Sequence, residues 1–168
     1  MLHGEPGTGQ IGFIRKFQQN LEQHFVIVKW DQRGAGLSYS PEIPLISMNI
    51  DQLVNDTIEI TLYILRLFNR KKLHIVGHSW GTILGILAIS QEPHLYKCYF
   101  GVSQIANVAD SEKLSYMKVL EKAKQVGNYK AYIKLSKIGP PPGNNLKDNR
   151  IHQKHIEMFC GGLLMMGK

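Results

Sequence analysis

The pentapeptide Gly77-His78-Ser79-Trp80-Gly81 is the part of this sequence best suited to chemistry. It has the pattern Gly-x-Ser-x-Gly, follows the short apolar run Leu73-His74-Ile75-Val76 and precedes the apolar segment from Thr82 to Gln91. In that setting a sharp strand-to-helix turn pushes the serine side chain out of the sheet, and the glycines are needed because a Cβ would clash there. The Trp80 N–H then opens a helix, where it can steady negative charge on an oxygen formed by attack of Ser79. The bland alternative is a glycine-rich turn with no chemistry.

Two further strings bear on the same site. Leu2-His3-Gly4-Glu5-Pro6-Gly7 is turn-forming, and Trp30-Asp31-Gln32-Arg33-Gly34-Ala35-Gly36-Leu37-Ser38 follows the β-branched and aromatic run Phe25 to Trp30. A serine hydroxyl also needs a histidine to take its proton and an acid to orient that histidine.

The elements that must position these residues alternate. Phe25 to Trp30, Leu73 to Gly77 and Tyr96 to Ile105 read as strands. Between them Thr8 to Gln23 carries Ile11, Ile14, Phe17 and Leu21 on one helical face and should pack on the sheet. Asn49 to Asn69 reads as a helix capped by Asn49, with Leu53, Ile60, Ile64 and Leu67 toward the core. Thr82 to Gln91 is apolar nearly all round and reads as a buried helix. Strands separated by helices imply parallel pairing with helices on the faces of the sheet. After Ile105 the rhythm becomes helical, with Asp110 to Gln125, Asn128 to Lys137 and a stretch from Leu146 onward, broken by Gly139-Pro140-Pro141-Pro142-Gly143. The expected class is therefore α/β, dividing near residue 106.

Composition narrows the function. The chain has 168 residues, 43% hydrophobic and 20% charged, the balance of one ordinary globular domain rather than a disordered or fibrous one. Its longest run free of polar residues, Ile83 to Ile89, is far shorter than the roughly 20 apolar residues that cross a bilayer, and the start lacks the build of a signal peptide. Two cysteines, Cys98 and Cys160, make neither a disulfide framework nor a metal knuckle, so a reducing, cytoplasmic setting is expected. The net charge of +7 is spread along Lys113 to Lys137 and Lys147 to Lys154 at helical spacing. That reads as solvated helix faces, with neither nucleic acid nor membrane as a partner.

Taken in order, the three strings resemble the α/β-hydrolase fold, and specifically the proline iminopeptidase group of serine peptidases with its Asp-x-Arg-Gly-x-Gly-x-Ser string. The resemblance runs from about Leu2 to Ile105, with the later helices like that group's cap. It implies a partial α/β-hydrolase parallel sheet with flanking helices over 1–106, followed by an incomplete helical cap over 107–168. It makes Ser79 the nucleophile and the backbone N–H groups of Glu5 and Trp80 the oxyanion hole, with Glu5 standing where the group usually has glycine. The Glu5 carboxylate either meets a substrate amine or points to solvent. Asp31 and Arg33 are expected to brace their loop by charge-assisted hydrogen bonds rather than to act on substrate. No cofactor or metal is implied; the residues that bind substrate are not legible, and the substrate class is a small peptide, with an ester or lactone as the alternative.

In the resembled group the acid and histidine follow the cap, so the expectation is a hydrolase fragment lacking its first strands and its Asp/His part. Such a chain is inactive alone and able to pair with a complementary fragment; the rival reading is a non-catalytic remnant. His3, His74 and His78 read as structural, and His24 and His94 fall at helix ends or turns. His152 and His155, three apart, could bind a metal but read better as a solvated face. Asp110 is an alternative acid. Gly7-x-Gly9-x-x-Gly12 with Asp31 mimics a dinucleotide fingerprint, yet only Met1 to Pro6 precede it, where a buried strand is required.

Overall fold

The computed structural model describes residues 1–143 and 145–160. The chain forms two compact units, Met1–Ile105 and Ala106–Lys168.

In the first unit the helices α1 (Ile11–Phe17) and α2 (Gln19–Glu22) precede the long α3 (Ile50–Leu67), followed by β1 (Leu73–His78), α4 (Trp80–Gln91) and β2 (Tyr96–Val102). The strands β1 and β2 pair in parallel, with Ile75 opposite Tyr99 and Gly77 opposite Gly101. A parallel pair needs a crossover, and α4 supplies it while packing on both strands. Leu53, Val54 and Leu65 of α3 meet Ile75 of β1, Leu84 and Ala88 of α4 and Leu2 in one core. Fully burying each larger aliphatic side chain contributes about 1.5–3 kcal/mol.

The cap of α3 is the expected one, since the Asn49 side chain accepts the Gln52 N–H at 2.9 Å. Its buried stripe runs instead through Leu53, Val54, Thr57, Thr61 and Leu65, and Leu67 is exposed. Threonines fit this buried face because Thr57 and Thr61 donate their hydroxyls to the carbonyls of Leu53 and Thr57, each at 2.8 Å. A pattern drawn from apolar residues alone misses that phase.

Three other expectations are corrected. Phe25 to Trp30 joins no ladder among the described residues, because a strand is defined by a hydrogen-bonded neighbouring strand, whereas here the Phe25 N–H donates back to Leu21 O at 2.9 Å and Val28 O accepts from the Met1 amine at 2.9 Å. The segment from Thr8 to Gln23 breaks at Gln18 into α1 and α2, neither with a side-chain cap, and it leaves Phe17 and Leu21 exposed rather than packed under the sheet. The side chain of Ile14 lies outside the described residues. On α4 the buried side is Gly81, Thr82, Leu84, Gly85 and Ala88, while Ile86 and Leu87 are exposed, so an all-round apolar sequence does not mean all-round burial.

The second unit comprises α5 (Val108–Gln125), α6 (Tyr129–Ile138) and α7 (Leu146–Cys160). Asn107 and Asn128 cap α5 and α6 by accepting the N–H groups of Asp110 and Ala131, both at 3.1 Å. Tyr116, Val119 and Leu135 form its core, with Ile151, Ile156 and Phe159 packed against it. The expected solvated face on α7 is corrected: His152 and His155 are 5% and 8% exposed. They turn inward because the His152 ring meets Tyr116 edge-on and His155 Nδ1 donates to Ile151 O at 2.7 Å. Among the described residues no cluster of His, Cys, Asp and Glu could hold a metal ion, and no helix is long and apolar enough to cross a membrane. The side chains of Leu146 and Cys160, and the stretch beyond Cys160, lie outside the described residues.

Candidate active site

Ser79 sits between β1 and α4 with φ 50° and ψ −117°, a backbone conformation that side chains rarely adopt. The conformation is held from three sides. The Ser79 N–H donates to Val102 O at 2.9 Å, at the end of β2, and the Ser79 carbonyl accepts both the Thr82 N–H at 2.9 Å and the Thr82 hydroxyl at 2.6 Å. Thr82 in turn accepts the Ile105 N–H at 3.1 Å, fixing the loop that leaves β2. Strain at a single residue persists only where its surroundings over-determine it, and these bonds do so. The Ser79 side chain is half-buried rather than internal.

The two glycines of the motif are required by crowding. A Cβ on Gly77 would lie 2.6 Å from Gly81 O, and one on Gly81 would run into the Leu2 carbonyl oxygen and lie 2.8 Å from that of His3. The second crossing brings the amino-terminal loop against the turn. Leu2 bridges to Gly77 in parallel, its N–H donating to Val76 O at 2.7 Å and its carbonyl accepting the His78 N–H at 3.0 Å.

Gly4 follows directly, so close that a Cβ there would lie 3.1 Å from Ser79 Cβ and 3.0 Å from His78 Nδ1. The sequence-predicted residues Glu5, Ser79 and Trp80 are therefore brought together. Glu5 is itself left-handed, at φ 50°, with an exposed side chain. Neither its amide nor that of Trp80 donates to a backbone carbonyl among the described residues. Trp80 occupies the first turn of α4, where helix geometry leaves N–H groups free and slightly positive. The turn thus has Ser79 close to Gly4, with the Glu5 and Trp80 amides bonded to no backbone carbonyl among the described residues.

Gln32 is the residue that sequence reasoning missed. It is 2% exposed and makes contacts on three sides: its amide N–H donates to His3 Nε2 at 3.0 Å, its side-chain amide donates to His3 O at 2.8 Å, and its side-chain oxygen accepts the Trp80 indole N–H at 3.2 Å. Because His3 Nε2 accepts, its proton lies on Nδ1, which donates to Gly4 O at 2.7 Å. One buried side chain thus links the loop after Trp30, the Gly4-Glu5 turn and the residue after Ser79. Its place between Asp31 and Arg33 was the available signal.

The flanking charges hold loops. Asp31 Oδ2 accepts the Leu37 N–H at 3.0 Å. Arg33 grips Asp56 of α3 with Nε to Oδ2 at 2.7 Å and a second nitrogen to Oδ1 at 2.6 Å. Burial alone would raise the Asp56 pKa, but the Arg33 and Gln52 hydrogen bonds and the Arg33 charge outweigh it and hold the carboxyl below its ordinary range.

Among the described residues no histidine hydrogen-bonds the Ser79 hydroxyl. His3 is committed to Gly4 and Gln32, His74 Nδ1 lies 2.6 Å from Cys98 Sγ, and His94 pairs with Glu92 at 3.3 Å. Asp110 lies in the first turn of α5, the helix capped by Asn107.

Comparison with known proteins agrees with this geometry. Residues 1–146 match the alpha/beta hydrolase fold family. The chain is 40% identical over 161 residues to the probable aminopeptidase YbaC of Bacillus subtilis (strain 168), covering 96% of this chain and 51% of that protein. It is 35% identical over 83 residues to the gastric triacylglycerol lipase of Bos taurus, which is 46% of this chain and 21% of the lipase. The human gastric triacylglycerol lipase is 30% identical over 90 residues, covering 51% of this chain and 22% of the lipase. The chain thus spans about half the length of its aminopeptidase relative and about a fifth of the lipases. With its parallel βαβ unit, its strained serine turn and this match, the chain belongs to the alpha/beta hydrolase fold family.

Proposed function

We propose that this chain carries the nucleophile and oxyanion hole of a serine hydrolase of the proline iminopeptidase type, which releases amino-terminal residues from small peptides through an acyl-enzyme. The observation that carries the reading is Ser79 at φ 50° beside Gly4, with the Glu5 and Trp80 amides turned free. Ser79 attacks the scissile carbonyl carbon, a base takes its proton, and the two amides hold the negative charge that develops on the carbonyl oxygen. The amine departs with a proton returned by that base, and water then releases the acid by the same steps in reverse. The relative named as a probable aminopeptidase supports a peptide substrate.

The base is a histidine, and since none among the described residues hydrogen-bonds Ser79, the reading has the chain alone inactive, gaining activity by pairing with a complementary polypeptide that supplies an acid and a histidine. Its setting is cytoplasmic, with neither nucleic acid nor membrane as a partner. The similarity to gastric lipases favours a second reading, an esterase built on the same turn. Steady-state hydrolysis of proline p-nitroanilide, other aminoacyl p-nitroanilides, p-nitrophenyl esters and a lactone decides between them. These are assayed with the chain alone and as part of a longer polypeptide that carries the acid and histidine. The proposal expects turnover of aminoacyl amides in the second case only; turnover of esters alone favours the esterase, and turnover by the chain alone contradicts the assigned inactivity.

A further inference from the structure

Four non-glycine residues among those described are left-handed: Glu5, Asn69, Ser79 and Ser103. Asn69 lies just past the end of α3, where asparagine tolerates this conformation. Glu5 and Ser79 belong to the candidate site. Ser103, at φ 53°, is the one that the acyl-transfer steps leave without a role. It is the counterpart of Ser79 on the neighbouring strand. The register pairs His78 with Val102, so Ser79 and Ser103 are each the first residue beyond the last pair of β1 and β2. Their backbones are joined there, since the Ser79 N–H donates to Val102 O at 2.9 Å. Paired strands lie about 4.8 Å apart, so the two serines are neighbours at the carboxyl ends of the strands, the edge at which open α/β sheets take their ligands.

The loop that carries Ser103 is braced from inside. The Tyr99 hydroxyl donates to the Gln104 side-chain oxygen, Gln104 Nε2 donates to Ile105 O at 2.9 Å, and the Ile105 N–H donates to the Thr82 hydroxyl at 3.1 Å. That hydroxyl donates in turn to Ser79 O at 2.6 Å, which ties the loop to the backbone of the nucleophile. Within this frame Ser103 is exposed, and its hydroxyl has no hydrogen-bond partner among the described residues. A glycine would hold φ 53° without strain, whereas the frame holds a serine there against a steric cost.

We propose that Ser103 is a specificity-determining residue, whose hydroxyl accepts a hydrogen bond from the α-ammonium group of an amino-terminal residue while Ser79 attacks the carbonyl of that residue. The inference rests on the peptidase reading of Ser79 and gives it a means of selecting substrates with a free amine. The carbonyl oxygen of such a substrate goes to the Glu5 and Trp80 amides, and the leaving nitrogen faces the base that returns its proton. The polar group that remains is the α-ammonium. It is one carbon away from the scissile carbonyl, which keeps it within a strand's width of Ser79. A free hydroxyl at that distance takes one of its N–H groups in a charge-assisted bond.

The test compares L-alanine p-nitroanilide with propionyl p-nitroanilide, which differ only in the amine, on the polypeptide that joins this chain to an acid and a histidine. In Ser103→Gly the kcat/KM for the alanyl substrate is expected to fall about tenfold, the scale of one hydrogen bond to a charged group. The loss should lie in KM, and kcat/KM for the propionyl substrate should stay unchanged. Ser103→Asn, which suits the left-handed position and brings a carbonyl acceptor, is expected to restore the alanyl rate. An equal loss on both substrates in both variants would make Ser103 a purely structural residue, and an undiminished alanyl rate in Ser103→Gly would detach it from the substrate; either overturns the proposal. A parent polypeptide that does not turn over the alanyl substrate overturns the peptidase reading and this inference with it. A parent that prefers the alanyl substrate, beside a Ser103→Gly variant that keeps the same preference, overturns this inference alone.

Discussion

The Trp80 indole N–H donates to the Gln32 side-chain oxygen at 3.2 Å, which locks the residue after Ser79 to the loop that also holds His3. Both candidate oxyanion amides thus depend on one buried neutral side chain. Replacing Gln32 by Leu leaves the His3 carbonyl and the Trp80 indole without these partners, and each stranded buried group costs about 1–3 kcal/mol. Urea unfolding of Gln32→Leu is expected to show a loss of about 2–4 kcal/mol, and Gln32→Glu, whose buried carboxylate cannot donate to His3 O, is expected to lose at least as much at pH 7. Equal stability of Gln32→Leu and the parent would remove this link.

Ser79 carries strain that a glycine would not. Substitution Ser79→Gly is expected to raise unfolding stability by about 1 kcal/mol, within the range for a relieved left-handed residue, and, in the polypeptide that joins this chain to an acid and a histidine, to abolish reaction with serine-directed probes. A destabilised Ser79→Gly protein would show that the turn is relaxed as it stands.

A side chain at Gly4 would press on the nucleophile, its Cβ lying 3.1 Å from Ser79 Cβ. In Gly4→Ala the new methyl meets Ser79 Cβ and His78, so reactivity at Ser79, measured in the polypeptide that joins this chain to an acid and a histidine, should fall at least about tenfold, equivalent to 1.4 kcal/mol, with folded content by circular dichroism nearly unchanged. Unaltered reactivity would mean that the Gly4-Glu5 turn is remote from the chemistry.

The Arg33–Asp56 pair predicts acid sensitivity. The Asp56 pKa lies below its unfolded value, so the pair stabilises the fold fully above about pH 4, the ordinary aspartate range, and the contribution is lost as pH falls through the folded value. Arg33→Met should cost about 1 kcal/mol at pH 7 and progressively less below pH 4. A cost independent of pH would assign the effect to packing.

In the second unit burial lowers the His152 pKa, with the His155 charge adding to this and Asp148 and Glu112 opposing it. A histidine depressed in the folded state gives stability that is present above its unfolded pKa near 6.5 and is lost as pH falls, because the unfolded chain takes up the proton first. Thermal unfolding of the parent should therefore weaken between about pH 7 and pH 5, and that slope should flatten in His152→Gln. A slope unchanged by the substitution would place the proton uptake elsewhere.

The candidate turn is legible in the residues because its glycines answer steric demand, within the turn at Gly77 and from Leu2 and His3 at Gly81. A Gly-x-Ser-x-Gly string states the first crowding directly and marks the second only as a place where backbone passes close. What escaped is non-local. Gln32 is one polar residue in a glycine-rich loop until the fold brings His3 and Trp80 to it, and no spacing rule encodes that meeting. Phe25 to Trp30 has strand composition without a ladder, since pairing depends on a neighbour rather than on propensity. On α3 and α7, Thr57, Thr61, His152 and His155 are buried although their residue types suggest solvent, because helix carbonyls, or for His152 the Tyr116 ring, lie beside their polar groups.

The most direct test of Ser79 as nucleophile is covalent. The polypeptide that joins this chain to an acid and a histidine is treated with a fluorophosphonate, and the adduct is located by peptide mass spectrometry. The account predicts one adduct per chain, on Ser79, absent from Ser79→Ala and from the chain alone. An adduct on another residue, or hydrolysis that survives Ser79→Ala, would contradict it.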